Sequence, residues 1–501
     1  MSSTSEDPVD GPSDARLTGT LSIWGVVGCS LGLMGLGMAI NINPQAPALQ
    51  VGHAVPLVFV ISTVGVLLVA YGFIRLCQSF NHAGSIYGFI GMTIGPRAGF
   101  VAGWTLLSSY LALFATCLAG AGLFLGQFAA KTGLWPDASW IPFALVAFAV
   151  IWLLAARDVK VSTRALLSLE GLTIAVVCVI AVVVFVKLGI GAAPDGQRLT
   201  ASVFAVPGTD SSALFSAVTF GFLSFAGFEV ASTLGEETAN PRRVIPRALL
   251  GTVLFAGLFF TVVTAAESMG FGTDDAGVTA FTQSGALVGD LGTRYIGSVV
   301  GDVVVLGAGI SAFGSALACA VGASRLLYAF GRDGFLSTRI GRTSPRHGTP
   351  TIALAVVMTI AGGALVLLRL FATTSGNDVF FWTATVGTLA LIVAYLMCTI
   401  GATRYLFFDG GPRVRRIEIL IPLAGIAFLL FTLFKNVYPV PDAPYDLFPY
   451  LVAAWIGASV VFTLANPGFA RRLGDQLRRQ DGLGEPSELP PTLTADDGSA
   501  R

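Results

Sequence analysis

Two carboxylates lie where a soluble protein would not put them. Glu229 falls inside a long apolar run, just after Ser224-Phe225-Ala226-Gly227, and Glu170 sits well inside another. An ionisable residue within a membrane-length stretch marks a substrate or ion pathway by default, because burying it there is costly. The four residues before Phe228 include small ones and a glycine, the poorest helix former of the four. A helix that fails at that point frees backbone carbonyls, which are acceptors suited to an ammonium group. Discontinuous helices of this kind build the midplane sites of many secondary transporters. Phe225 and Phe228 flank the weak point and suit either a gate and amine–aromatic contact or simple packing.

Little else in the chain offers chemistry. Cys29, Cys77, Cys117, Cys178, Cys319 and Cys398 are scattered singly, and no pair has metal-ligand or redox spacing. They read as small hydrophobes in helix packing. His53, His82 and His347 form no cluster, which argues against a metal-dependent membrane enzyme. No cofactor and no metal is expected.

The elements that must position the carboxylates are membrane helices. The 501-residue chain is 54% hydrophobic and 12% charged, with mean hydropathy +0.78. Soluble proteins carry roughly twice that share of charge, about 25%. Apolar segments fall near 20–42, 54–76, 98–128, 141–156, 163–190, 212–235, 245–269, 296–330, 350–371, 378–404, 417–436 and 447–465. Most reach the roughly 20 residues that a spanning helix needs; the 141–156 run is short. Residues 1–17 are polar and acidic, without a cleavable signal pattern, and residues 467–501 form a basic, then Pro- and Asp-containing tail. Both read as cytoplasmic, core-less ends flanking one transporter domain at 18–466.

The distribution of basic residues supports that topology. With the N-terminus in the cytoplasm, only Lys131, Lys187, Arg198, Arg294, Arg369 and Lys435 of the 29 Lys and Arg fall outside. The remaining 23 lie inside, as the positive-inside rule requires. Both termini are then cytoplasmic, in a multi-pass protein of the cell membrane.

Gly25, Gly28, Gly32, Gly35 and Gly37 make the first span the weakest helix in the chain, or else a small-residue packing face. Weak points in the first and sixth spans are five spans apart. An odd offset inverts the second set of five, so the two sets have the form of inverted repeats with a site at their interface.

The motifs carry a resemblance. Phe222, Gly227, Phe228, Glu229, Glu236, Glu237, Asn240, Pro241, Arg242 and Pro246 match the sixth helix of the amino acid–polyamine–organocation permeases. Gly35-Leu36-Gly37 resembles the Gly-x-Gly at which that family breaks its first helix. Ala83, Gly84, Tyr87, Gly95, Pro96, Gly99, Phe100, Gly103 and Trp104 resemble its segment between helices 2 and 3. Ser324-Arg325, Tyr328, Arg332-Asp333-Gly334, Gly348 and Pro350 resemble the end of helix 8. The chain departs at Asn81, where proline is usual, at Ser337, and at Arg75, where many members carry glutamate.

The resemblance implies an all-α leucine-transporter-type fold. Five plus five inverted helices occupy 20–190 and 212–404, and helices 11 and 12 follow at 417–465. It implies a secondary transporter for an amino acid or related amine, coupled to protons or working by exchange. Unwound backbone at Gly35, Leu36, Gly37 and Met38 would present N–H groups to a carboxylate, opposite the carbonyls of Ser224–Ala226. Together they would hold a zwitterion, whereas a polyamine would use the carbonyl side alone. Ser311, Ser315 and Trp382 are further pocket candidates.

Some family members use an ionisable residue of helix 5 in proton coupling. Glu170 occupies that helix here, as a coupling group or as a structural partner of an arginine. Glu229 is expected in gating, or in direct contact with the ammonium. Polyamines, other organic cations and nucleobases remain alternative cargo. A membrane enzyme or a sensor fits less well, because no stretch between spans is long enough for a soluble domain. The expected partners are the lipid bilayer, a small-molecule substrate and H+, and not nucleic acid.

Overall fold

The computed structural model describes residues 22–80, 86–157, 160–205, 211–234, 238, 240–332, 336–344, 349–372, 375–410 and 413–466. The two polar ends, Glu236 and Glu237, and Asn81, Ala83, Gly84, Asp333, Gly334 and Gly348 of the motifs lie outside those residues.

The regular elements are helices. In chain order they are α1 (Ile23–Met34), α2 (Leu36–Ile42), α3 (Gln45–Val51), α4 (Val55–Ser79), α5 (Ile86–Thr93), α6 (Pro96–Lys131), α7 (Trp140–Ala156) and α8 (Lys160–Gly189). The second half comprises α9 (Ser211–Leu223), α10 (Pro241–Phe271), α11 (Asp275–Thr282), α12 (Leu287–Tyr295), α13 (Ser298–Arg332), α14 (Thr351–Ala372) and α15 (Gly376–Phe407). Last come α16 (Leu420–Lys435) and α17 (Phe448–Ala465). Among the described residues, 11 spans are long and apolar enough to cross a membrane. The shorter apolar helix Trp140–Ala156 stands where the fourth segment was expected.

The two halves share a plan. Each begins with a helix that fails partway, α1–α2 in the first and α9 in the second. Each has a very long third span, α6 with 36 residues and α13 with 35. Short helices precede both, α5 before α6 and α11–α12 before α13. The long spans α6 and α13 pack against each other, and α15 packs on α6. This is the five-plus-five architecture of the leucine-transporter type, with α16 and α17 appended.

Between lipid-solvated helices, close packing and internal hydrogen bonds replace the hydrophobic driving force. Gly28 and Gly32 of α1 face Leu167 of α8, and a Cβ on Gly32 would come within 2.7 Å of its Cδ2. The small-residue face and the helix break therefore coexist in one span. Buried hydroxyls turn back onto their own helices, as in Thr105 to Val101, Thr264 to Phe260 and Thr399 to Tyr395, so each is satisfied without water. At the membrane edge Arg75 pairs with Glu418, which also accepts from Tyr71 Oη at 2.8 Å. The basic residue at position 75 thus ties α4 to the turn that begins the α16 span.

Candidate functional site

Gly35 ends α1 in the left-handed region, at φ 58°, and restarts the chain as α2. An L side chain there is disfavoured by its own backbone. It is also excluded by space, since a Cβ would lie 2.3 Å from Ser315 Oγ. The break costs α1 and α2 part of their hydrogen-bond ladder, and α13 and α8 supply the replacements. Ser315 Oγ donates to the Gly32 carbonyl at 3.0 Å. Ser311 Oγ accepts the Met38 N–H at 3.1 Å. Glu170 Oε1 accepts the Gly37 N–H at 2.9 Å, with Leu36 and the Ser311 hydroxyl beside the same carboxyl. Thr173, one turn further along α8, lies against Gly37.

The second and third N–H groups of α2, of Gly37 and Met38, are therefore engaged by protein side chains. The sequence led us to expect them open toward a ligand. A carboxylate is favoured at that position by the aligned peptide dipoles, and Glu170 supplies it from within the chain. An arginine partner for Glu170 is not needed to account for its burial.

The second break begins where α9 ends at Leu223. Residues 224–227 form consecutive turns, Gly227 adopts φ 105°, and a 3-10 helix runs over Phe228–Leu234. The half-helix after the break is thus 3-10 rather than α-helical. A Cβ on Gly227 would lie 2.8 Å from Leu33 Cδ2, so this glycine also allows α1 to approach. Among the described residues, the carbonyls of Ser224 and Ala226 receive no backbone N–H. Glu229 folds back on the break: Oε2 accepts from Gly227 N–H at 3.1 Å and from Tyr395 Oη of α15 at 2.6 Å. Tyr110 of α6 stands beside the same carboxyl, and Oε1 is buried without a partner among the described residues. Ser30 of α1 joins the two breaks, taking the Ala231 N–H at 3.1 Å and donating to the Phe228 carbonyl at 3.4 Å.

Between the breaks lies a cavity of about 30 Å³. Met34 and Met38 wall it from the first break, Ala226 and Gly227 from the second, and Tyr110 and Phe380 from α6 and α15. Asn43, just past α2, also lines it; its Nδ2 donates to Ser224 Oγ at 2.8 Å and its Oδ1 has no partner among the described residues. Thr116, Cys117 and Cys319 line it too, and the rest of the side wall is aliphatic.

Of the residues named from sequence, Met38, Ala226 and Gly227 line this cavity, and Ser224 touches it through Asn43. Gly35, Leu36, Gly37, Ser311, Ser315 and Glu170 form the scaffold of the first break behind it. Phe225 packs edge-on to Phe260, and Phe228 packs edge-on to Phe73 and Tyr395. Trp382 lies outside the cavity wall, with its ring toward Phe448 of α17.

Sequence reading missed Asn43, Tyr110 and Tyr395. It also missed Glu267 of α10, which is fully buried with neither carboxyl oxygen partnered among the described residues. A carboxylate inside the seventh apolar run was a visible signal; Tyr110 and Tyr395 carried none beyond a polar tip in an apolar helix.

The family model for amino acid permeases matches residues 25–464. The low-affinity putrescine importer PlaP of Escherichia coli is 27% identical over 315 residues, 62% of this chain and 66% of that protein. The branched-chain amino acid permease BcaP of Lactococcus lactis is 27% identical over 329 residues, 63% of this chain and 69% of its own length. The chain therefore aligns with about two thirds of these curated relatives. An uncharacterized transporter of Mycobacterium tuberculosis is 27% identical over 429 residues, 85% of this chain and 88% of that protein. Among solved structures, a manganese transporter of Eremococcus coleocola superposes with TM-score 0.55 at 12% identity. That superposition covers 92% of this chain and 99% of the other, and it bears on the fold alone.

Proposed function

We propose that this chain, which belongs to the amino acid permease family, is a secondary transporter that carries a small amine-bearing solute across the cell membrane by alternating access. The cargo is an amino acid or a related amine, the classes for which BcaP and PlaP are named. One observation carries the reading: a single buried cavity is walled by residues of both helix breaks, Met34 and Met38 on one side and Ala226 and Gly227 on the other. Broken helices let a site change its exposure without unmaking the long helices around it.

The parts divide by task. The α6–α13–α15 packing is the frame, and Glu170, Ser311 and Ser315 hold the first break onto it. Glu229 ties the second break to α15 through Tyr395, with Tyr110 of α6 beside it, so movement of that break must alter this cluster. Glu229 acts in gating. Glu170 is the coupling group: taking up a proton removes the negative charge from the start of α2 and loosens its grip on Gly37. The excess of basic residues in alternate loops supports cytoplasmic termini.

Uptake into proteoliposomes of purified protein tests the reading. Saturable uptake of a labelled amino acid or amine, faster with an inward proton gradient, is the expected result. No uptake of either class with correctly inserted protein would overturn it.

A further inference from the structure

We infer that the cavity selects an amine without an α-carboxylate, and that Asn43 is its specificity-determining contact. This rests on the transport reading above and narrows its cargo.

An amino acid needs hydrogen-bond donors for its carboxylate and acceptors for its ammonium. Most of the donors on and around this cavity are already engaged. Gly37 N–H bonds Glu170, and Met38 N–H bonds Ser311. Thr116 hydroxyl is engaged with the Ala112 carbonyl at 3.0 Å and Thr383 at 2.9 Å. Asn43 Nδ2 bonds Ser224, and Tyr110 stands beside the Glu229 carboxyl, which already accepts from Tyr395. No lysine, arginine or histidine is among the lining residues. A carboxylate brought here would find a neighbouring carboxyl where its partner should be, and a buried anion without partners is strongly disfavoured.

What remains open is acceptor capacity. Asn43 is 2% exposed, lines the cavity, and has its carbonyl oxygen unpartnered. The Ser224 and Ala226 carbonyls, on the segment that walls the same space, receive no backbone N–H among the described residues. An ammonium group has three donors and no acceptor, which complements this set. The rest of the wall, Leu33, Met34, Leu113, Leu223 and Phe380, suits an apolar body. The ligand is thus a primary amine with an aliphatic or aromatic body, and the cavity, about 30 Å³ in this conformation, must widen to admit it.

The test uses matched pairs that differ only in the carboxylate: isopentylamine against leucine, 2-phenylethylamine against phenylalanine, and butane-1,4-diamine against ornithine. Each is offered as radiolabelled solute to proteoliposomes containing the full chain. The inference requires saturable uptake of at least one of these amines, with every amine that moves doing so at least about tenfold faster than its amino acid. Equal or faster uptake of the amino acids would overturn it while leaving the transport reading standing. Uptake of neither member of any pair would overturn both. Asn43→Ala should raise the amine KM about tenfold or more, in line with loss of a hydrogen bond to a charged group. Asn43→Asp, which keeps an acceptor oxygen, should restore or tighten it. Thermal unfolding in detergent identifies which variants are folded. Unchanged KM in a folded Asn43→Ala variant would overturn the assignment of Asn43.

Discussion

Glu170 Oε1 accepts the Gly37 N–H at 2.9 Å, so a carboxylate of α8 closes the start of α2. The bond joins two spans that move relative to each other if the first break is a hinge. It gives Glu170 a structural and a functional reading at once, and substitutions separate them.

Glu170→Ala removes a charged acceptor from the buried Gly37 N–H and leaves it unsatisfied. Such bonds contribute about 1.5–3 kcal/mol each in typical series, so the variant should unfold at a distinctly lower temperature in detergent. Glu170→Gln keeps an acceptor oxygen and the shape but cannot exchange a proton. It should bind substrate normally and lose the dependence of uptake on the proton gradient. Gradient-driven uptake unchanged in Glu170→Gln would leave the residue a purely structural cap.

Glu229 is held by Gly227 N–H and Tyr395 Oη rather than presented to the cavity. Glu229→Gln should therefore lower the maximal rate while KM changes by less than about twofold. Tyr395→Phe should move the rate in the same direction by a smaller factor. An affinity loss of about one to two orders of magnitude for Glu229→Gln, the size expected for a lost bond to a charged group, would instead place the ammonium directly on this carboxylate.

Glu267 presents the opposite case. Both carboxyl oxygens are buried without partners among the described residues, and an unpaired buried polar group is a cost rather than a gain. Glu267→Gln should unfold at a temperature equal to or above that of the wild type, and Glu267→Met likewise, because Met fills a similar volume without a polar atom to satisfy. A marked fall in unfolding temperature for Glu267→Met would show that the carboxyl has a stabilising partner.

The membrane fold was legible because hydropathy and the placement of basic residues are properties of single segments. Glu229 and Glu170 stood out for the same reason, as charges in apolar runs. The glycines also spoke locally: Gly35 and Gly227 both adopt positive φ. Long-range pairing was not legible. Nothing near Gly37 announces that Glu170 will reach its N–H, so the start of α2 was read as open to a ligand's carboxylate. Asn43 follows a break and precedes Pro44, which reads as a turn rather than a cavity wall. Trp382 was drawn toward the site by its size and its place in the tenth span, yet helix α15 turns that face to α17. Periodicity does not say which face of a uniformly apolar helix meets which neighbour.

The central claim is that both breaks act as hinges around one cavity, and glycines at and beside them are the direct handle. A Cβ on Gly37 would meet Thr173 Cγ2 at 2.7 Å, and one on Gly227 would meet Leu33 Cδ2 at 2.8 Å. Uptake by the Gly37→Val and Gly227→Val variants, singly and together, should fall to background in proteoliposomes, with normal membrane insertion. Gly37→Ala should be impaired and partly restored by Thr173→Ser, which removes the methyl group in the way. Wild-type uptake by the Gly37→Val, Gly227→Val double variant would contradict the hinge reading outright.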